Sequence, residues 1–287
     1  MNKVILFCLL FFIGNSLTAQ DKVFETFKDT RVINTHSVEV LKHRNLDFRI
    51  GHRFGDLLGD NGGWPTFYGL EIAQDVLFGF EYGVSDQLTI GLSRTKGSGP
   101  LKQLINGTLK YRILHQSTGE KPMPVSLTVL GIGTFSTMQK SKDPDLINFF
   151  EETAHRLVYG GQILIARKFS SGFSLQLVPS YIHRNIVPFG DANGILSLGV
   201  ATRIQMTKVF GLIVDATLPV SGSRPEGTGY YMPLGVGLEI DTGGHVFQIN
   251  FTNATGISEA DYIPYTTSNW GDNEFRLGFT ISRIFNL

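Results

Sequence analysis

NEFRLGFTISRIFNL, residues Asn273 to Leu287, ends the chain and decides how the rest of it reads. Side chains alternate between the two faces of a strand, so Phe275, Leu277, Phe279 and Ile281 share one face. Glu274, Arg276, Gly278, Thr280 and Ser282 share the other, and Phe285 and Leu287 carry apolar character to the terminus. In water such an exposed strand is an aggregation hazard. In a closed barrel in lipid it pairs on both edges and its apolar face meets acyl chains.

The same ten-residue amphipathic pattern recurs upstream. Strands are expected at 45–54, 75–84, 88–95, 103–114, 124–135, 156–169, 173–184, 195–206, 210–219, 231–241 and 245–254, twelve with the last. The connections alternate in length. Those after strands two, six, eight and ten are three residues each and that after strand four is nine, whereas those after odd-numbered strands run from seven to about twenty. Short turns at one end and long loops at the other are the pattern of an outer-membrane barrel; a sandwich has no reason to sort its loops. The expected fold is therefore an all-β, up-and-down antiparallel transmembrane barrel, with both termini periplasmic. Phe54, Tyr82, Tyr111, Phe169, Phe173, Tyr231 and Phe285 fall near strand ends, where aromatic girdles sit.

Composition agrees. The 287 residues include 33 Gly and 22 Phe, only 17% are charged, and the formal net charge is zero. With no basic stripe, nucleic acid is not an expected partner. Residues 1–20 read as a cleaved secretory signal: Lys3, the apolar run Val4–Ile13, then the small residues Ser16, Thr18 and Ala19. Cys8, the one cysteine, lies inside the apolar run. No later stretch approaches eighteen consecutive apolar residues, which excludes a helical span. A soluble secreted sandwich is the competing architecture. Residues 21–44 have weak periodicity and are expected as a periplasmic lead-in ahead of the barrel at 45–287. Asp143-Pro144-Asp145-Leu146 has the form of a helix start inside the insertion 136–155.

The mature chain resembles an uncharacterised family of Bacteroidota outer-membrane β-barrels. The likeness rests on residues 27–34 (FKDTRVIN), on 46–55 (LDFRIGHRFG) with its His52-Arg53-Phe54-Gly55 string, and on 78–84 (FGFEYGV) with 88–91 (LTIG). The resemblance implies a fold and a location, and no established activity or site residue.

Function must then be sought on the barrel's surfaces. The inward face is expected to carry Asp47, Arg49, Arg53, Glu81, Lys110, Arg112, Arg203, Asp215, Glu239, Glu274 and Arg276. Such balanced charge suits a salt-bridge network filling the lumen; a selective constriction usually carries one sign. If the lumen holds a filter, Lys110 and Arg112 near Arg49 and Arg53 would favour anions. Closure would bring Glu274 and Arg276 to Asp47, Arg49 and Arg53. The loop aromatics Trp64, Phe67, Tyr68, Phe149, Phe150, Tyr262, Tyr265 and Trp270 are candidates for a plug, for binding a glycan, lipid or protein, or for packing that caps the barrel.

Catalysis has little support. His115-Gln116-Ser117 and His36-Ser37 are the only near pairs for a serine nucleophile, and no Cys, His or Asp cluster has metal-ligand spacing. No cofactor is expected. Two roles remain: a passive channel or binding barrel for a small solute, or a closed barrel acting as partner in an outer-membrane assembly through its loops or residues 21–44.

Overall fold

The computed structural model describes residues 21–220 and 229–287. The signal expected at residues 1–20 lies outside them. Twelve antiparallel strands form one closed barrel. They are β1 (Asn45–Arg53), β2 (Asp75–Gly83), β3 (Leu88–Thr95), β4 (Leu104–Leu114), β5 (Ser126–Ser136), β6 (Leu157–Ser170), β7 (Phe173–Arg184), β8 (Gly194–Gln205), β9 (Phe210–Pro219), β10 (Leu234–Asp241), β11 (His245–Thr252) and β12 (Arg276–Asn286). Each strand pairs with its chain neighbours, and β12 closes on β1 with Gly278 opposite Arg53 and Asn286 opposite Asn45. No edge is left unpaired, which is what a sheet in lipid requires.

The alternation that organised the sequence also sorts the wall. Phe78, Phe80, Leu92, Leu109, Leu196 and Ile249 point outward and are exposed, while Asp47, Arg49, Arg53, Lys110, Asp215 and Glu239 point inward and are buried. Apolar side chains left bare on a closed sheet, around a polar interior, make sense only against lipid. The last strand begins later than expected, at Arg276. Phe275 instead stacks on Trp270, with ring centroids 4.6 Å apart.

Two segments depart from the expected layout. Residues 21–44 do not trail away from the barrel. Asp21–Lys22 pairs with Ser117–Thr118 at the short-turn end. From Thr26 to Leu41 the chain then runs inside the barrel, buried throughout except for Lys28 and Glu39, which are half-buried. There Arg31–Val32 and Thr35–His36 form a small hairpin. It leaves by the same mouth to begin β1 at Asn45. The weak periodicity has a physical cause: a segment surrounded by wall on every side has no single apolar face to display.

The second departure concerns helix. Residues 143–150 form no α-helix; Ile147–Phe149 is a 3-10 turn and the Asp143 side chain accepts the amide of Asp145 at 3.0 Å. Among the described residues the α-helix lies in the long loop between β11 and β12, as α1 (Glu259–Tyr265), all of it buried. Ser258 caps it, its hydroxyl accepting from the Ala260 amide at 3.2 Å.

Candidate functional site

The site is the lumen, and the chain's own segments occupy it from both ends. The hairpin enters from the short-turn end. At its tip, Asp215 on β9 accepts from the amides of Asn34 (3.0 Å) and Thr35 (3.1 Å) and from Asn34 Nδ2 (3.0 Å). Arg53 on β1 donates to Asn34 Oδ1 at 2.9 Å and to Asn250 Oδ1 at 3.0 Å. Gln248 on β11 accepts from the Ile33 amide at 3.1 Å and donates to the Arg31 carbonyl at 2.9 Å. Ile33 has φ 51°. A β-branched residue is strained there, and the bonds on both sides of the turn hold it in place. Gly235 on β10 makes room: a Cβ at that position would lie 2.6 Å from Asp215 Oδ1 and 2.7 Å from Ile33 Cγ2.

Lower on the hairpin the same logic repeats. Arg49 binds Asp29 through both terminal nitrogens, with Nη1 to Oδ2 at 2.8 Å, and also reaches Asp47 at 3.0 Å. Lys110 donates to the carbonyls of Thr30 (2.9 Å) and Glu39 (3.1 Å), and Arg112 pairs with Glu39 at 2.9 Å. Gln176 donates to the His36 carbonyl and Thr128 to the Val38 carbonyl, both at 2.8 Å. Wall side chains thus satisfy a non-sheet backbone at membrane depth, the condition on which such backbone is tolerated there.

From the opposite end α1 is seated on the wall's rim. Asp261 accepts from the amides of Ser98 and Gly99 at 3.0 Å, and Asp75 accepts from Ile257 at 2.9 Å and Gly97 at 3.0 Å. Arg184 lies over the ring of Tyr265, 4.9 Å from its centroid. Helix and hairpin meet in mid-lumen. Glu259 faces Arg31 at 3.3 Å and His36 at 3.6 Å, and Arg31 Nη2 stands 2.8 Å from His36 Nε2. An arginine only donates, so His36 Nε2 is the acceptor and the ring is neutral. Burial, with Arg31, Lys110 and Arg49 nearby, likewise holds His36 well below its ordinary value.

Most of the expected inward residues therefore converge, but on the plug and not on an open constriction. Lys110 and Arg112 anchor Thr30 and Glu39, so the anion-favouring patch is spent. Arg203 pairs with Glu239 at 2.5 Å within the wall, and Glu81 stands 3.9 Å from His36. Glu274 and Arg276 do not join Asp47, Arg49 and Arg53: Glu274 precedes the strand and accepts the Asn269 amide at 2.7 Å, and Arg276 donates to Ser268 at 2.5 Å. Of the loop aromatics, Phe150 is buried, Phe149 and Trp270 are half-buried, and Trp64 (72% exposed), Phe67 and Tyr68 form an open cluster. Tyr262 and Tyr265 belong to the buried helix. His115 meets the Val23 carbonyl at 3.0 Å and Ser117 accepts the Met123 amide at 3.1 Å.

At the short-turn mouth a cavity of about 940 Å³ remains, lined by Phe24, Lys28, His43, Asp47, Asp241 and His245 among others. Lys28 there is already paired with Glu25 (2.8 Å) and Asp241 (3.2 Å).

Residues 27–285 match the family described as "Membrane bound beta barrel domain (DUF5777)". The chain belongs to this family. No curated protein matches it. Among solved structures, the DUF5777 barrel is similar to KdgM porin, with 8% identity and a TM-score of 0.49, covering 84% of this chain and 99% of the porin. It is also similar to an outer membrane channel from Pseudomonas putida F1, with 14% identity and a TM-score of 0.46, covering 86% of this chain and 98% of that one.

Proposed function

We propose that this membrane barrel sits in the outer membrane with its lumen closed at rest by its own chain, and works through its two mouths as a partner in an assembly. One observation carries the reading: the inward Asp47, Arg49, Arg53, Lys110, Arg112 and Asp215 all bond to residues 29–39 or to wall neighbours that do, so these lumen charges are engaged by the chain's own plug. The alternating loops support placing the short-turn mouth and both termini in the periplasm. Conductance of the purified chain in a planar bilayer tests it. The intact protein should give no steady steps, and a chain lacking residues 21–41 should conduct. Steady conduction by the intact protein overturns the closed-barrel reading.

A second reading is a gated passage for a small polar solute. It is favoured by the character of the plug's anchors, which are hydrogen bonds and ion pairs exchangeable for water. Solute uptake into vesicles that appears only when the plug is displaced would distinguish it.

A further inference from the structure

We infer that the plug hairpin and α1 are coupled through Glu259, so that lifting the loop at one mouth loosens the segment that closes the other. The inference rests on the closed-lumen reading and adds a communication path to it.

The two insertions enter from opposite ends and have separate anchors. The hairpin hangs on Asp215, Arg53 and Gln248 in the wall; α1 hangs on Asp75 and on the Ser98 and Gly99 amides. They share one buried cluster. Arg31 Nη1 and Nη2 reach the two Glu259 oxygens at 3.3 and 3.5 Å, and neutral His36 accepts from Arg31 at 2.8 Å. Arg31, His36 and Glu259 are all buried. Outside the cluster, the Arg31 side chain bonds, among the described residues, only to the Asn34 carbonyl at 3.3 Å, and Lys110 and Arg49 add positive charge around it.

Removing one partner of a buried ion pair is far costlier than never having buried it, because the survivor stays desolvated and uncompensated. If α1 leaves, Arg31 loses its carboxylate among like charges. If the hairpin leaves, Glu259 loses Arg31, its only cation at bonding distance among the described residues. Each insertion is therefore more stable when the other is docked, and that effect is reciprocal by linkage. The physical element is a pair of segments with docked and undocked states, biased by one shared bond network. A ligand or partner that displaces residues 253–266 at the long-loop end would be felt at residues 26–41, and a pull at the short-turn end would be felt by α1.

The test is hydrogen–deuterium exchange of the full chain in detergent, with a lock placed at one end and read at the other. Ser98 Oγ and Thr255 Oγ1 are 3.0 Å apart, joining the β3–β4 loop to the loop that carries α1. The chain's one cysteine, Cys8, lies outside the described residues. Ser98→Cys with Thr255→Cys should form a disulfide there. Exchange in 29–38 should then be about fivefold or more slower in the oxidised than in the reduced form of the same protein. Equal exchange in the two forms overturns the coupling. Glu259→Gln supplies a second arm: exchange should rise about tenfold in both 29–38 and 255–265 while β7 stays protected. A rise in one segment alone also overturns it. Failure of the closed-lumen reading would appear separately, as steady conductance of the intact chain.

Discussion

Asp215→Ala should release the tip of the plug without unfolding the wall. The carboxylate accepts three hydrogen bonds from the hairpin, two from backbone amides and one from Asn34 Nδ2, and all the atoms are buried. A hydrogen bond to a charged acceptor contributes about 1.5–3 kcal/mol, and bonds sharing one acceptor do not add in full. Water entering the vacated space recovers part of the loss. The net cost to docking is about 2–4 kcal/mol, equivalent to a roughly 30- to 1,000-fold larger undocked population. The strain at Ile33 acts in the same direction, because a β-branched residue with φ 51° relaxes once its turn is freed. The wall at this point consists of backbone ladders between β8, β9 and β10 that the substitution does not touch. Exchange should thus accelerate by that factor at the Asn34 and Thr35 amides and hardly at all in β9. Full protection of those two amides in the Asp215→Ala protein would refute the assignment of Asp215 as the tip anchor. So would equal loss of protection in β9, since the residue would then be supporting the barrel itself.

Gly235→Val should mimic that phenotype by steric means, because its Cβ would sit within 3 Å of both Asp215 and Ile33; unfolding midpoint and hairpin exchange measured together will separate plug expulsion from barrel damage. His36 sets a pH dependence. Its folded-state value is depressed, with Arg31, Lys110 and Arg49 opposing the charge and Glu81 and Glu259 also facing it. Its contribution to docking is therefore complete above the ordinary value of 6.5 and is lost as pH falls below it. Hairpin exchange, corrected for intrinsic rates, should rise on acidification, and His36→Gln should flatten that rise. Among single-tryptophan proteins, acrylamide should quench Trp64 several-fold more than Trp270, which stacks on Phe275 and donates to the Leu234 carbonyl at 3.1 Å.

The barrel was legible because period-two alternation and loop sorting are local properties repeated twelve times. Leu277, Phe279 and Ile281 outward with Gly278, Thr280 and Ser282 inward needed only the pleat. The inward charges were legible too, but not their partners. Arg49 meets Asp29 and Asp215 meets Asn34, contacts that depend on the path of a segment with no periodicity to trace. The surplus of inward groups without an obvious wall partner, Lys110 and Arg53 among them, was the available hint that something else fills the lumen. For α1 the hint was Ser258 followed by Asp261, a capping pattern too short to stand out over seven residues. Asp143-Pro144 offered a better local start signal, yet nothing around it buries a helix, and tertiary packing decides for short helices.

The plug's position also orders assembly. Residues 26–41 precede the wall in the chain, yet their partners include Asp215, Gln248 and Glu259, roughly two hundred residues further on. Phe27, Val32, Ile33 and Val38 share a buried cluster with side chains of β4 to β8 as well as with β9 and the loop after β11, so their full burial waits for the later strands. The hairpin and its linker at 42–44 are joined directly to β1, one side of the final seam with β12. Contacts so distant in sequence form late and slowly, leaving apolar surface open meanwhile. Because the hairpin enters and leaves by one mouth and is joined to β1, closure of the β1–β12 seam beside it threads no segment through a finished ring.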